Sequence, residues 1–186
     1  MHVLVACEFS GRVRDAFTAH GHDAWSCDLL PSETPGNHIQ DDVLLHLDDG
    51  WDLMIAHPPC TYLSRAGANL WPIRRFQAYE AMTFVRCLFD CGIERIAIEN
   101  PVGQLNKLWR YPSQTIQPFM FGDPFRKTTN LWLKNLPALF ATNVTSGRPS
   151  FVDKIGQTKH RWKERSRTFP GIAEAMALQW GDWLEE

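Results

Sequence analysis

Cys60 is the residue whose type and setting point most directly to chemistry. It follows Pro58-Pro59, which come shortly after an apolar run at residues 51–56. Two consecutive prolines cannot extend a helix or pair in a central strand, so they favour a stiff, extended turn. In open α/β sheets, ligands bind beyond the carboxyl ends of the strands. A thiol on such a turn is a candidate nucleophile, although free cysteines are equally often small buried apolar residues.

A carboxylate occupies the matching position on a second predicted strand. The apolar run at residues 95–98 ends in Glu99-Asn100-Pro101, and Glu99 follows Cys60 by 39 residues. If the two strands are parallel neighbours, both side chains emerge at the same edge of the sheet. A thiol that attacks the substrate and a carboxyl group that hydrogen-bonds or protonates it form a workable catalytic pair.

Strands and helices alternate in the elements that must position this pair. Strands are predicted at residues 2–7 and 23–27, and helices at 12–19, 74–91 and 171–180. The helix at 74–91 has the clearest pattern, because apolar residues recur at helical spacing. The expected buried stripe consists of Phe76, Tyr79, Met82, Val85, Leu88 and Phe89.

Composition limits the class of protein. A chain of 186 residues with 44% hydrophobic and 22% charged residues suits one globular domain, which we expect to span residues 1–186. The net charge of −2 argues against a generally basic surface for nucleic acid. No apolar run is long enough for a membrane span, and the first residues read as a strand rather than a signal peptide. Five cysteines, an odd number, suit a reducing compartment, so we expect a cytoplasmic protein with no membrane association.

These motifs resemble those of the DNA cytosine-5 methyltransferases. Pro59-Cys60 followed by Ser64 matches the nucleophile motif of that family, and Glu99-Asn100-Pro101 differs from its Glu-Asn-Val motif only at the last position. The resemblance implies an α/β fold: a Rossmann-like class I methyltransferase sheet, mostly parallel, with helices on both faces. It also implies S-adenosyl-L-methionine (SAM) as cofactor, with Cys60 and Glu99 as catalytic residues.

The resemblance assigns a cofactor site to several loops. Phe9-Ser10-Gly11 matches the first part of the family's cofactor loop, while Arg12 and Val13 replace its later glycine. A strand, a glycine turn and a helix can bring backbone amides to a ligand, although an ordinary turn has the same pattern. Asp28 and Leu29 follow the second strand, where an acid can accept hydrogen bonds from ribose hydroxyls or simply be solvated. Asp42, Pro58 and Phe169 complete the implied cofactor set.

Substrate contacts are implied at the ends of the same strands and farther along the chain. Ser64, Asn100 and Pro101 accompany the catalytic pair. Phe121-Gly122-Asp123-Pro124 matches the approach to the family's eighth motif, which brings Arg126, Lys127 and Thr129 toward the substrate. Phe125, Lys127 and Thr129 occupy the three key places of that motif, and only Lys127 keeps the positive charge. This departure implies an altered base contact or a different substrate.

A large target-recognition domain, present in full-size family members, has no counterpart here. Residues 137–167 form only a short region, and its part from 154 to 167 contains six Lys or Arg against one Glu. Such a loop can contact phosphates without reading base sequence, or it can be a solvated surface loop. A partner subunit that supplies target recognition is compatible with this pattern, and the oligomeric state is left open.

The favoured hypothesis is SAM-dependent methylation of C5 of a pyrimidine, cytosine in DNA, through a covalent bond between Cys60 and C6. One alternative is the same chemistry on a free pyrimidine deoxynucleotide. Another is a catalytically silent nucleic-acid-binding module of the same fold. No metal site is predicted, because Cys87 with Cys91 and His20 with His22 each lack a second pair at ligand spacing.

Overall fold

A seven-stranded sheet organises the protein, and helices cover both of its faces. The computed structural model of the chain describes residues 1–146, 149–151 and 161–181. The strands run in the spatial order β3-β2-β1-β4-β5-β7-β6. They are β1 (His2–Ala6), β2 (Asp23–Cys27), β3 (His38–Ile39), β4 (Leu53–Ala56), β5 (Arg95–Pro101), β6 (Gln114–Ile116) and β7 (Thr129–Lys134).

Most neighbouring strands are parallel. The pairs β3–β2, β2–β1, β1–β4 and β4–β5 all run in the same direction, while β7 is antiparallel to both β5 and β6. The predicted fold class, a mostly parallel Rossmann-like sheet with helices on both faces, is confirmed. The helices are α1 (Arg12–Ala19), α2 (Arg75–Asp90), α3 (Leu105–Leu108), α4 (Arg161–Ser166) and α5 (Pro170–Gly181), with 3-10 turns at Val43–Leu45, Arg65–Leu70 and Pro118–Met120.

Two apolar cores form because the central strands bury both of their faces. Val3 and Val5 of β1 point toward the core that includes α1 and α5, whereas Leu4 and Ala6 point toward the core that includes α2. This alternation gives β1 and β4 nearly continuous apolar sequences, as expected for parallel strands covered on both sides. Each fully buried aliphatic side chain contributes about 1.5–3 kcal/mol, so the packing fixes the strands firmly.

The predicted helix at 74–91 is confirmed as α2, but its predicted stripe is wrong at two positions. Phe76 is 71% exposed and Tyr79 is 62% exposed, whereas Ala78, Met82 and Val85 are buried. Consecutive residues turn by about 100° around a helix, so Phe76 lies almost opposite the line through Ala78, Met82 and Val85. The buried face is therefore narrower than the number of apolar residues in the helix suggests.

The carboxyl ends of the strands form the edge at which a site can assemble. From β1 the sheet continues to β2 on one side and to β4 on the other, so the strand order switches between β1 and β4. Ligands of open α/β sheets bind in the crevice at such a switch point. Because β7 is antiparallel to β5, its first residue, Thr129, lies at this same edge, paired with Pro101. Among the described residues, no helix has the length and apolarity needed to cross a membrane.

Candidate active site

The loop that carries Cys60 is fixed by hydrogen bonds on both sides. Next to the end of β4, the His57 amide donates to the Ala6 carbonyl oxygen at 2.9 Å. The Asn100 side-chain amide donates to the carbonyl oxygen of Pro58 at 2.9 Å, across the gap to β5. Beyond the prolines, the Cys60 carbonyl oxygen accepts the amide of Ser64 at 2.8 Å. The rigid turn expected from the two prolines is therefore present, and the half-buried thiol lies at its tip.

Cys60 and Glu99 lie at the ends of adjacent strands. Ala56 of β4 pairs with Ile98 of β5 in a parallel register, which confirms that the two strands are neighbours. Burial raises the pKa of the Cys60 thiol, and the negative charge of Glu99 raises it further. Lys127 and Arg165 oppose this effect, because their positive charges favour the thiolate. The arrangement brings one thiol, one carboxyl group and two cations within electrostatic range of each other.

Glu99 is held as a carboxylate by its neighbours. Burial favours its neutral form, but the hydrogen bond with His57, the charge of Lys127 and a hydrogen bond with Thr129 outweigh it, so the pKa of Glu99 falls below its ordinary value. His57 Nδ1 lies 3.5 Å from Glu99 Oε2, and these side chains are 7% and 17% exposed. Sequence reasoning missed His57, whose one signal was its place immediately before the two prolines.

The predicted substrate residues near β7 divide into two groups. Lys127 Nζ donates to the Arg165 carbonyl oxygen at 2.8 Å and lies 5.7 Å from the ring centre of Phe169. Thr129 is buried beside Glu99, so Lys127 and Thr129 both lie near Glu99 at the carboxyl edge of the sheet. The Arg126 side chain is exposed, and its backbone pairs with residues 149–151.

Ser64, Asn100 and Pro101 have structural contacts around the site. Ser64 is 9% exposed and Asn100 is 1% exposed. Asn100 links β5 to the proline turn, and Pro101 continues the pairing of β5 with β7. Their described contacts are those of residues that position the Cys60 loop.

A narrow cleft lies at the switch point between β1 and β4. Its enclosed space is about 30 Å³, which is room for one or two water molecules. Phe9 and Ser10, two of the residues predicted to bind the cofactor, lie in its wall. The lining residues are Cys7, Glu8, Phe9, Ser10, His57, Ser166 and Thr168. His57 therefore belongs both to this cleft and to the Glu99 site, so the two sites are adjacent.

The side chain of Glu8, a residue that precedes α1, caps the beginning of that helix. Its carboxylate, 4% exposed, accepts the amide of Val13 at 2.8 Å and the amide of Arg14 at 3.2 Å. The Ser10 hydroxyl also donates to it, at 3.1 Å. Helices leave their first amides without intrahelical partners, and here a side chain supplies them. The two amides are thus used within the protein, as in the ordinary-turn interpretation of this segment.

The other predicted cofactor residues lie around the cleft at different depths. Gly11 has a φ of 73°, and a side chain there would collide with Thr34 and Arg14. Asp28 accepts the Leu30 amide at 2.9 Å, and burial raises its pKa. The remaining four do not line the cleft. Leu29 is 72% exposed, Asp42 accepts the Leu44 amide at 3.0 Å, the Pro58 carbonyl oxygen accepts the Asn100 side-chain amide, and Phe169 packs 4.6 Å from the ring of Phe151.

Residues 161–168, which are α4 and the two residues that follow it, cover the cleft and are called its roof. The Trp162 ring centre lies 6.0 Å from that of Phe9. Arg167 binds Glu33 with two hydrogen bonds, of 2.8 and 2.9 Å. Arg12 donates to the Thr168 carbonyl oxygen at 2.9 Å. These contacts were not predicted, because they join segments more than a hundred residues apart in the chain.

The residue types at and near the cleft are suited to binding a nucleoside cofactor such as SAM. Asp28 follows β2 where an acid can accept hydrogen bonds from ribose hydroxyls, and Phe9 offers an apolar face. Asp28 and Asp42 both raise the pKa of Cys7, which places their charges close to the tip of β1. A molecule of that size is larger than the enclosed space of about 30 Å³, so we expect its binding to involve a change at the roof.

Other predictions concern metals and the basic segment. Within the described part of the chain, no group of three or more His, Cys, Asp or Glu side chains is placed to hold a metal ion. Of the basic segment at 154–167, residues 154–160 lie outside the described residues. Its remaining part forms α4 and the start of the cleft roof.

Comparisons with known proteins find similarity in structure alone. No family model matches the chain, and no curated protein matches it in sequence. A protein described as a DNA modification methyltransferase, encoded within a prophage of E. coli, has a TM-score of 0.50 and 14% identity over 77% of this chain and 51% of its own. A mutant of DNMT2 from Spodoptera frugiperda has a TM-score of 0.45 and 15% identity over 86% of this chain and 60% of its own. The chain thus spans about half the length of the prophage protein, with which it shares a fold.

Proposed function

We propose that this protein is a SAM-dependent methyltransferase that transfers a methyl group to C5 of a pyrimidine, with cytosine in DNA as its substrate. The observation that carries the proposal is the position of Cys60 and Glu99 at the ends of the neighbouring strands β4 and β5. Lys127, Arg165 and His57 surround the pair. The fold shared with a protein described as a DNA modification methyltransferase supports the same function.

The mechanism follows from the weak nucleophilicity of C5 in a pyrimidine ring. Cys60 Sγ, as the thiolate, forms a bond to C6 while Glu99, in its protonated form, donates its proton to N3, which makes C5 enamine-like. The free protein favours the ionised form of Glu99, so this step requires Glu99 to take up a proton when the pyrimidine binds. SAM, when bound, supplies an electrophilic methyl group. Loss of the C5 proton then restores the C5–C6 double bond and expels Cys60 as a thiolate.

Electrostatics in the site favour the charged form of the nucleophile only in part. Burial and Glu99 raise the pKa of Cys60, and Lys127 and Arg165 lower it. Both cations would also offset negative charge that develops on the ring during addition of the thiolate. Lys127 is itself positioned by its bond to the Arg165 carbonyl oxygen.

A base in a duplex must leave the stack to reach a thiol that is half-buried. Flipping costs a few kcal/mol and is easiest for an unpaired base. A free pyrimidine deoxynucleotide is therefore a second candidate substrate. The two cations beside Cys60 favour it specifically, because they could hold its single phosphate.

The test is release of tritium from C5-labelled substrate. We expect release to require both SAM and Cys60, and Cys60→Ala to lower the rate by about 10⁴-fold or more, as for other covalent nucleophiles. Cys87→Ala is the matched control, because Cys87 is exposed on α2. Full activity of Cys60→Ala would overturn the proposal. Duplex, single-stranded and mononucleotide acceptors, compared side by side, separate the two candidate substrates.

A further inference from the structure

A cavity of about 440 Å³ opens beside the catalytic loops. Its volume is in the usual range for small-molecule and nucleotide sites. The 3-10 turn Arg65–Leu70 forms one wall, and the segment after β5 forms the other. The lining residues are Arg65, Ala68, Trp71, Val102, Gly103, Asn106, Lys107 and Tyr111.

Both walls continue directly from the catalytic residues. The Arg65 amide donates to the Val102 carbonyl oxygen at 2.9 Å, and Ser64 pairs with Gly103. A side chain at Gly103 would collide with the Leu63 carbonyl, so only glycine allows this approach. Because Ser64 is bonded to the Cys60 carbonyl oxygen, the cavity lies next to the site of the proposed reaction.

The cavity is lined by side chains suited to binding a phosphate group and a nucleobase. Arg65 and Lys107 are exposed cations, and within the described part of the chain neither forms an ion pair. Its lining contains no carboxylate. Tyr111 is 82% exposed, although a large aromatic side chain usually has a packing partner. Aromatic rings interleaved with cations are what proteins use to bind single-stranded nucleic acid.

Two polar atoms in the walls lack partners. Trp71 Nε1 and Asn106 Oδ1 are buried without a hydrogen bond to any described residue. One is a donor and the other an acceptor, and buried groups of this kind are normally satisfied. A heterocycle that reached between them, with a small rotation of either side chain, would satisfy both.

We infer that this cavity binds the nucleotide adjacent to the target pyrimidine on a single-stranded polynucleotide. Arg65 and Lys107 hold its phosphate, and Tyr111 or Trp71 stacks on its base. The inference rests on the proposed function for the identity of the neighbouring site. It adds that the substrate is a strand longer than one nucleotide, since the cavity takes a flanking residue.

The first test measures binding of the full-length protein to a single-stranded DNA oligonucleotide, by fluorescence anisotropy and without cofactor. Loss of a stacking ring in Tyr111→Ala should weaken binding by about 5- to 150-fold. Arg65→Gln combined with Lys107→Gln should reduce the slope of log affinity against log salt by about 1.4. Phe140→Ala and Arg86→Gln are matched controls, because Phe140 is 77% exposed elsewhere and Arg86 lies on the surface of α2.

The second test places 5-iododeoxyuridine beside the target base and locates its photo-crosslink by mass spectrometry. We expect crosslinks to Tyr111 or Trp71 in the wild-type protein. Crosslinks elsewhere, or wild-type binding by folded Tyr111→Ala and double-charge variants, would overturn the inference even if the oligonucleotide is methylated. Crosslinking at Tyr111 without any methyl transfer would instead contradict the proposed function and leave the cavity as a polynucleotide site.

Discussion

The surroundings of Cys60 disfavour the thiolate form of its side chain. Its thiol is half-buried and lies near the carboxylate of Glu99, and both features raise its pKa. Lys127 and Arg165 partly offset this effect. The free protein therefore holds Cys60 mainly as a thiol at neutral pH, and the thiolate depends on the two cations. This dependence makes the charge of Lys127 important for reactivity.

Replacement of Lys127 by methionine should make Cys60 harder to ionise. The substitution keeps much of the side-chain length but removes a charge that lowers the pKa of Cys60. We expect the pH profile of Cys60 alkylation by iodoacetamide, followed by peptide mass spectrometry, to move to higher pH. Exposed Cys87 is the internal reference, and Arg86→Met is the matched charge control. An unchanged profile would show that Lys127 does not act on the thiol.

Glu99 should make stability depend on pH in the acidic range. Its pKa in the folded protein lies below its ordinary value of 4.5, so the folded state favours the ionised form. This contribution is fully present above pH 4.5 and is lost as the pH falls through the folded pKa. We expect Glu99→Gln to lower the free energy of unfolding in urea more at pH 7 than at pH 3. An equal effect at both values would contradict this assignment.

At the scale of elements, local patterns in the sequence predict those helices and strands whose bounds depend on residues close together in the chain. The bounds of β2 and α1 agree with the prediction, because apolar spacing and turn residues mark them. The direction of β7 has no local signal, since it depends on pairing with β5 far back in the chain. The bond from His57 to Glu99 and the cap that Glu8 places on α1 are also tertiary contacts. Periodicity overestimated the buried face of α2, where Phe76 and Tyr79 are exposed.

The roof over the cleft is the element with most consequence for ligand binding. It is held to the loop after β2 by the paired hydrogen bonds between Arg167 and Glu33. Arg167 lowers the pKa of Glu33, so the pair is ionised near neutral pH. Both side chains are partly exposed, at 20% and 26%, so the pair contributes roughly 0–1 kcal/mol to stability.

Glu33→Gln should accelerate cofactor association. Without the carboxylate, the roof loses one of its clamps and opens more often. We expect a higher association rate for SAM in stopped-flow binding, together with faster amide hydrogen exchange at residues 161–168. Asp49→Asn is the matched control, because it weakens an ion pair with His46 on another surface. Equal association rates in the two variants would indicate that the roof does not limit binding.

At the scale of the whole molecule, positive charge is local rather than general. The net charge is −2, yet Arg65, Lys107, Lys127 and Arg165 all lie near Cys60 or in the cavity beside its loop. Cations in this position can hold phosphates, which carry no sequence information. Only residues 135–169 separate β7 from α5, and this span leaves little chain for reading base edges.

DNA from cells that express the protein should therefore carry C5-methylcytosine without a fixed sequence motif. Nucleoside mass spectrometry measures the amount, and bisulfite sequencing measures the context. Cells expressing Cys60→Ala give the background level. Methylation confined to one motif would mean that the chain, or a partner, reads base sequence.

The carboxylate of Glu8 has a consequence for the kind of molecule that the switch-point cleft accepts. Rossmann-like folds commonly place a pyrophosphate against the amides at the start of the first helix. Here a buried negative charge already holds the amides of Val13 and Arg14. A diphosphate bridge would meet the carboxylate of Glu8 in place of these two amides, whereas a sulfonium centre carries positive charge. We therefore expect the carboxylate of Glu8 to disfavour the diphosphate of a dinucleotide at the start of α1.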